Sequence, residues 1–116
     1  METTKVVYNR CYGGFSLSLK AEKEYLRRKG FEKFKESSHF GGYVEEVEGW
    51  PDYYSRDIER DDPDLVAVVE MMGEEANGYC AKLCIEEVPK GKLYRIDEYD
   101  GYESVMTMND YDWKMA

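Results

Sequence analysis

The sequence has little histidine and cysteine, and it has no long apolar run. A single histidine, His39, leaves few combinations for a zinc site or for Ser–His or Cys–His catalysis. The three cysteines, Cys11, Cys80 and Cys84, are an odd number, which favours free thiols in a reducing compartment over a disulfide framework. No segment is apolar for long enough to cross a bilayer, and METTKVVYNR lacks the apolar core of a signal peptide. We therefore expect a cytoplasmic protein that makes no membrane contact.

Basic side chains are outnumbered, since 16 lysines and arginines stand against 25 aspartates and glutamates and the net charge is −9. Residues 1–42 carry nine basic side chains against five acidic ones, whereas residues 43–116 carry seven against twenty. A field of this sign repels phosphate backbones, so we expect no binding to nucleic acid. The segment Glu45–Asp64 is the most acidic, with nine acidic residues against Arg56 and Arg60. It is either a solvated surface or a face that attracts a basic partner.

Length and composition are typical of one folded domain that spans residues 1–116. The chain is 42% hydrophobic and contains eleven tyrosines, four phenylalanines and two tryptophans, which argues against disorder. Tyrosine can be half buried while its hydroxyl contacts water. We expect several tyrosines at the margin of the core or in a recognition surface.

The first third predicts a strand followed by a helix. Thr4–Arg10 is rich in strand formers, and SLKAEKEYLRRKG has helical periodicity. Ser18 can cap such a helix at about residues 18–29, and Gly30 can end it. Glu22 lies close to the apolar arc of this helix, and we expect its carboxylate to reach water or a neighbouring cation.

Residues 31–60 have no clear period and predict a long connection, with a short strand at Tyr53–Ile58. Loops of this length are uncommon inside compact domains and are often functional. The next element is clearer, since Asp62 can cap a helix that begins at Pro63 and ends at Gly73.

Three antiparallel strands are predicted in the last third, at Tyr79–Val88, Leu93–Tyr99 and Tyr102–Met108. Asp100-Gly101 is a strong signal for a two-residue hairpin turn. The element order is β-α-loop-α-β-β-β. We therefore predict an α+β, two-layer domain of about four mostly antiparallel strands with two helices on one face.

The stretch NRCYGGFSLS is the first candidate site, because a strand meets a helix there through two glycines. Free N–H groups at such a junction can hold an anion, although the stretch matches neither the P-loop nor the GxGxxG pattern. The alternative is a tight corner that binds nothing. The candidate ligand-binding residues are Asn9, Arg10, Tyr12, Gly13, Gly14, Ser16 and Ser18.

Catalytic and metal chemistry find little support in the sequence. On one strand, Cys80 and Cys84 would stand roughly 13 Å apart, too far to share a zinc ion. The acidic clusters do not have EF-hand spacing. An enzyme would need Cys11 and His39 beside a carboxylate. We expect no cofactor, no metal and no catalytic residue.

The segments NRCYGGFSLS, RDDPDLVAVVEMMG, NGYCAKLCIEEVP and DEYDG together resemble a family of small phage and large-DNA-virus proteins. Its pattern is a YGGFxLS turn, a DPxLVxVVExxG helix and an IDEYDG hairpin, and the resemblance covers most of the chain, least so residues 31–55. Because that family is mostly uncharacterised, it assigns no catalytic residue. The resemblance implies a viral gene product that acts in an infected host cell, as proteins that block host defence or redirect host machinery do.

Two functional hypotheses follow. The first is a non-catalytic viral accessory protein that binds a host protein, since aromatic rings among charges are typical of interfaces. The second is a binder that sequesters a small anionic, nucleotide-type ligand at the glycine junction. The sequence does not indicate an oligomeric state. The candidate partner-binding residues of the first hypothesis are Tyr43, Trp50, Tyr53, Tyr54 and Asp57.

Overall fold

The computed structural model of the chain describes residues 2–38, 42–79 and 81–107, without the side chain of Arg56. His39, Cys80 and the end of the last predicted strand at Met108 lie outside the described residues. Within this part of the chain the structure has six short strands, two α-helices and two single 3₁₀ turns. In order, they are β1 (Thr3–Asn9), α1 (Leu19–Arg28), β2 (Phe34–Ser37), β3 (Tyr43–Val47), a 3₁₀ turn (Ser55–Asp57), α2 (Pro63–Met72), a 3₁₀ turn (Gly73–Ala76), β4 (Leu83–Pro89), β5 (Tyr94–Tyr99) and β6 (Tyr102–Thr107).

Both helices begin at the predicted caps. The hydroxyl oxygen of Ser18 accepts a hydrogen bond from the N–H of Ala21 at 3.1 Å. In α2, a carboxylate oxygen of Asp62 accepts from the N–H of Asp64 at 2.9 Å, and Pro63 occupies the first helical position. These contacts satisfy N–H groups that a helix cannot pair internally.

The strands form three antiparallel pairs, β1 with β4, β2 with β3 and β5 with β6. The α+β class is therefore confirmed, but the single sheet of about four strands is wrong. The second edge of β1 is occupied by other groups. The N–H of Val7 donates to the backbone oxygen of Arg60 at 2.8 Å, and the N–H of Asn9 donates to the Glu103 carboxylate at 2.9 Å. Strand β6 thus contacts β1 through the side chain of Glu103, and it does not form backbone hydrogen bonds that would add a strand to the pair of β1 and β4.

The segment that the sequence predicts to be a long connection contains the hairpin of β2 and β3. The pair is short and irregular, with a register shift between Lys35 and Glu36. The strand predicted at Tyr53–Ile58 is also wrong, because a 3₁₀ turn forms at Ser55–Asp57. Exposed charges in FKES and YVEEV leave almost no apolar alternation, which is the signal that identifies strands in a sequence.

The core lies between the two helices and the strands β1, β3 and β4. Helix α2 contacts β1 and β4, while α1 contacts α2 and β3. In the described part of the chain, neither helix combines the length and the apolar composition that a bilayer span requires. The fully buried side chains of the core include Val7, Tyr25, Leu26, Leu65 and Val68.

Candidate functional site

A groove of about 790 Å³ opens beside the N-terminal end of α1. Four segments surround it: the glycine junction with the start of α1, the start of β3, the segment before the first 3₁₀ turn, and the segment before β4. We call it the tyrosine groove, after the exposed rings at its rim. It is lined by Gly13, Ser16, Leu17, Ser18, Leu19, Glu22, Gly42, Tyr43, Val44, Glu45, Tyr53, Tyr54, Ser55, Asn77, Gly78 and Tyr79.

One wall of the groove consists of two extended segments joined by backbone hydrogen bonds. The N–H of Gly78 donates to the oxygen of Ser16 at 3.0 Å, and the N–H of Ser18 donates to the oxygen of Ala76 at 2.9 Å. A Cβ atom at Gly78 would lie 2.3 Å from Oγ of Ser16 and 2.7 Å from its carbonyl carbon. Only glycine therefore permits this close approach.

The serine hydroxyls of this wall already have partners. Ser18 Oγ donates to the backbone oxygen of Glu75 at 2.6 Å while it caps α1. Ser16 Oγ donates to the backbone oxygen of Tyr79 at 3.3 Å. Both hydroxyl protons point to carbonyl groups and not to a side-chain base, so neither serine is arranged as an activated nucleophile.

The floor of the groove is formed in part by Glu22, which is only 1% exposed. Its Oε1 accepts a hydrogen bond from the hydroxyl of Tyr53 at 2.9 Å, and its Oε2 accepts from the N–H of Val44 at 3.0 Å. Burial raises the pKa of Glu22, and the two hydrogen bonds only partly oppose this effect. Burial and the neighbouring Glu22 likewise raise the pKa of Tyr53.

This position corrects the prediction that Glu22 reaches water or a cation. Sequence reasoning placed Glu22 near the apolar arc of α1, which is right, but assumed that a charged side chain leaves that arc. Val44 and Tyr53, which lie far along the chain, supply the hydrogen bonds that permit burial. A charged residue inside an apolar arc was the only signal in the sequence.

The candidate partner-binding residues divide into two groups. Trp50 packs inside an aromatic cluster, with ring centroids 5.0 Å from Tyr53 and 5.4 Å from Phe31. Trp50 and Tyr53 therefore support the core, although Tyr53 also lines the groove. Tyr43 and Tyr54 stand exposed at the rim. Asp57 is exposed in the 3₁₀ turn and does not line the groove.

Two of the candidate ligand-binding residues serve the interior or a neighbouring side chain. Asn9 is fully buried, and its side chain donates to the backbone oxygens of Cys11 and Gly101 and accepts from the N–H of Lys82. Arg10 donates to the Tyr102 hydroxyl at 3.2 Å. Neither Asn9 nor Arg10 lines the groove.

The glycine corner supports the turn between β5 and β6. A Cβ atom at Gly101 would lie 2.5 Å from the oxygen of Tyr12 and 2.7 Å from the nitrogen of Gly14. The ring of Tyr12 packs 5.2 Å from that of Tyr102. Gly14 adopts a φ of 91°, which glycine tolerates best. The glycine corner, residues 12–14, is thus a packing surface for the hairpin of β5 and β6. Of these three residues, only Gly13 lines the groove.

The structure brings residues of both hypotheses to one place. Gly13, Ser16 and Ser18 of the candidate ligand site meet Tyr43, Tyr53 and Tyr54 of the candidate partner site around the same groove. The sequence alone predicts two separate surfaces, because residues 31–60 have no clear period that would bring them together. The candidate lists also lack the other lining residues of the groove, among them Glu22, Asn77 and Tyr79.

The electrostatics of the groove are acidic. Its lining residues include two carboxylates, Glu22 and Glu45, and no lysine, arginine or histidine within the described ranges. An anion in the groove would meet like charge at Glu45 and at ionised Glu22. The anionic-ligand hypothesis stays a prediction that the groove charge does not favour.

Metal-binding and thiol chemistry receive no geometric support from the residues described. Among them, no three or more side chains of His, Cys, Asp and Glu are grouped as a metal site. Cys11 and Cys84 are half-buried free thiols. A catalytic group of Cys11 and His39 cannot be placed, since His39 lies outside the described residues.

Comparisons with family models, with curated proteins and with solved structures find no match to this chain.

Proposed function

We propose that this chain is a non-catalytic viral accessory protein that binds a host protein through the tyrosine groove. The observation that carries the proposal is the groove itself, with exposed tyrosines at its rim and a floor fixed by the hydrogen bonds of Glu22. Pockets of a few hundred cubic ångströms with apolar walls and few polar groups are the usual sites of small molecules, and at protein interfaces such pockets are filled by anchoring side chains of the partner.

The rim suits contact with another protein. Tyr54 is 53% exposed and Tyr79 is 71% exposed, and the exposed Tyr43 on β3 lines the same groove. Tyrosine supplies a large, stiff contact area at a low cost in side-chain entropy, and it is enriched at interface hot spots. Fixed walls and exposed anchors reduce the ordering that binding requires.

The absence of an activated nucleophile among the described groove residues favours binding over catalysis. The hydroxyls of Ser16 and Ser18 donate to carbonyl oxygens, and Glu22 is held by two neutral donors. A general base would need contact with a reacting proton, and a hydroxyl nucleophile would need contact with that base.

The viral and host context comes from the resemblance of the sequence to small phage and large-DNA-virus proteins. In that context the chain acts in the cytoplasm of the infected host cell, and its role is to block a defence protein or redirect host machinery. The groove supports binding by such a protein.

Affinity capture from host-cell lysate tests the proposal, with alanine variants of exposed rim residues. Tyr43→Ala and Tyr54→Ala remove contact area without touching the core, whereas Trp50→Ala would damage the aromatic cluster. Tyr99→Ala is the matched control, because Tyr99 is 78% exposed on β5 and does not line the groove.

We expect one host protein to be enriched by the wild type and by Tyr99→Ala. Its recovery should fall at least about tenfold with the double variant Tyr43→Ala/Tyr54→Ala, since hot-spot tyrosines contribute 2 kcal/mol or more. Recovery of no specific protein, or equal recovery with the double variant, would contradict the proposal.

A nucleotide panel tests the anionic-ligand hypothesis separately. A ligand that binds only the folded chain raises the melting temperature as its concentration exceeds its Kd. A flat response across the panel would remove that hypothesis and leave the partner-binding proposal intact.

A further inference from the structure

Glu22 is a buried carboxylate to which the described side chains supply hydrogen bonds and no counter-charge. Its two donors, the Tyr53 hydroxyl and the Val44 N–H, are both neutral. Among the lysine and arginine side chains that the structure describes, which do not include Arg56, none forms an ion pair with Glu22. Buried charges in proteins are normally paired with an opposite charge, or they lose their charge.

The carboxylate also keeps unused acceptor capacity. Two carboxylate oxygens offer about four lone-pair sites, and the two donors occupy two of them. Glu22 lines the groove but is only 1% exposed, so a donor uses this capacity only when it enters as far as the floor. Ionised carboxylates bind charged donors more strongly than neutral ones.

The other groove residues favour a cation as well. The exposed rings of Tyr43, Tyr54 and Tyr79 attract a positive charge to their faces, and Glu45 adds a second carboxylate. The net charge of −9 steers a basic partner toward the chain.

The same chain already contains this combination around one of its own arginines. The guanidinium of Arg60 lies 3.6 Å from the ring centroid of Phe15 and donates two hydrogen bonds to the carboxylate of Glu103. The planar guanidinium stacks on rings and pairs with carboxylates better than an ammonium does. Aromatic rings beside a buried carboxylate are therefore a setting in which this fold holds arginine.

We propose that the tyrosine groove receives an arginine side chain from an extended segment of the partner protein, with its guanidinium directed toward Glu22. The proposal rests on the proposed function and specifies the chemistry of the partner. A volume of about 790 Å³ accommodates the arginine together with its flanking residues. The tyrosine rings cover the guanidinium, and Glu45 attracts it at the entrance.

Titration with an array of short peptides tests this assignment. Each peptide carries one central arginine with varied neighbours, and a matched array carries citrulline, which has nearly the same shape but no charge. Glu22→Gln removes the charge of the floor. Its amide oxygen can accept from Val44 N–H, and its NH₂ can donate to the Tyr53 hydroxyl, so the floor keeps both hydrogen bonds. Glu98→Gln, on an exposed part of β5, is the charge-matched control.

We expect an arginine peptide to bind at least about tenfold more tightly than its citrulline partner. Glu22→Gln should remove this preference, Glu98→Gln should keep it, and the amide resonance of Val44 should shift on binding. Tyr54→Ala, at an exposed position, should weaken the arginine peptide several-fold and provides a second test if Glu22→Gln does not fold.

Three results would overturn the inference. They are equal binding of arginine and citrulline peptides, no binding of any arginine peptide at millimolar concentration, and undiminished binding to both Glu22→Gln and Tyr54→Ala. Agmatine that bound as tightly as the best peptide would indicate a small cationic ligand and would contradict a protein segment. If Tyr43→Ala/Tyr54→Ala still abolished capture of a host protein, the proposed function would stand without this inference.

Discussion

The hydroxyl of Tyr53 donates a hydrogen bond to Oε1 of Glu22 across 2.9 Å, and so joins the segment before α2 to the first turn of α1. The N–H of Val44 donates to the second oxygen of the same carboxylate. Three segments that are separate in the sequence therefore meet at one buried group. The groove has a floor fixed by these bonds and a rim whose tyrosines are free to contact a partner.

Replacing Glu22 by glutamine should change the pH dependence of stability. Burial raises the pKa of Glu22 above its ordinary value of 4.5, so ionisation disfavours the folded state relative to the unfolded state. The stability associated with the protonated carboxyl is fully present below the unfolded pKa and is lost as pH rises through the folded pKa. Because glutamine does not titrate, we expect the melting temperature of Glu22→Gln, relative to the wild type, to be higher near pH 7.5 than near pH 4.

Two further variants, Glu98→Gln and Glu22→Ala, help to interpret that measurement. Glu98→Gln removes an exposed carboxylate and should leave the pH profile close to that of the wild type. Glu22→Ala should lower the free energy of unfolding by about 1–3 kcal/mol in urea titrations, because it leaves the buried Val44 N–H without an acceptor. A melting-temperature difference between Glu22→Gln and the wild type that stays constant with pH would show that Glu22 is not perturbed by burial.

Because the turn between β5 and β6 rests on the glycine corner, alanine should destabilise the fold more at Gly101 than at Gly91, a similar turn glycine. Gly91 and Gly101 adopt φ angles of 87° and 88°, so alanine incurs the same backbone strain at both. A Cβ at Gly101 meets Tyr12 and Gly14, whereas a Cβ at Gly91 has no atom within 4 Å. We expect Gly101→Ala to lower the free energy of unfolding by about 1–3 kcal/mol more than Gly91→Ala does. Equal effects in urea titrations would mean that the hairpin turn does not rest on the corner.

The ion pair of Arg60 with Glu103 should contribute strongly to holding β6 against the core. Glu103 accepts two hydrogen bonds from Arg60 and one from the Asn9 N–H, and it is almost fully buried. Glu103→Ala leaves the largely buried charge of Arg60 without its partner, so we expect the free energy of unfolding to fall by about 3–5 kcal/mol. The control is Glu2→Ala, which breaks an exposed pair with Lys90 and should have little measurable effect. Similar effects from both variants in urea titrations would contradict this role.

The parts of the fold that the sequence predicts well depend on local chemistry. Ser18 and Asp62 cap their helices through bonds to N–H groups two or three residues away, and the Asp100-Gly101 turn adopts positive φ at both residues. The strand that starts the chain and the helix at Pro63–Met72 follow equally from their own residues.

The predictions that are wrong concern features that depend on residues distant in the sequence. The second edge of β1 is occupied by Arg60 and Glu103, and no pattern within Thr3–Asn9 indicates that. Glu22 is buried because Tyr53 and Val44 reach it from other segments. The groove could not be foreseen for the same reason, since its walls come from four separate stretches of the chain.

Site-specific photo-crosslinking in host-cell lysate shows whether the partner is seated on the tyrosine groove. A photoreactive phenylalanine derivative replaces one exposed tyrosine at a time, at Tyr43, Tyr54 or Tyr79 on the rim, or at Tyr99 on β5. We expect the three rim positions to capture the same host protein and position 99 to capture little of it. Capture that is equal at position 99, or the absence of any specific crosslink from the three rim positions, would contradict the claim that the tyrosine groove binds the partner.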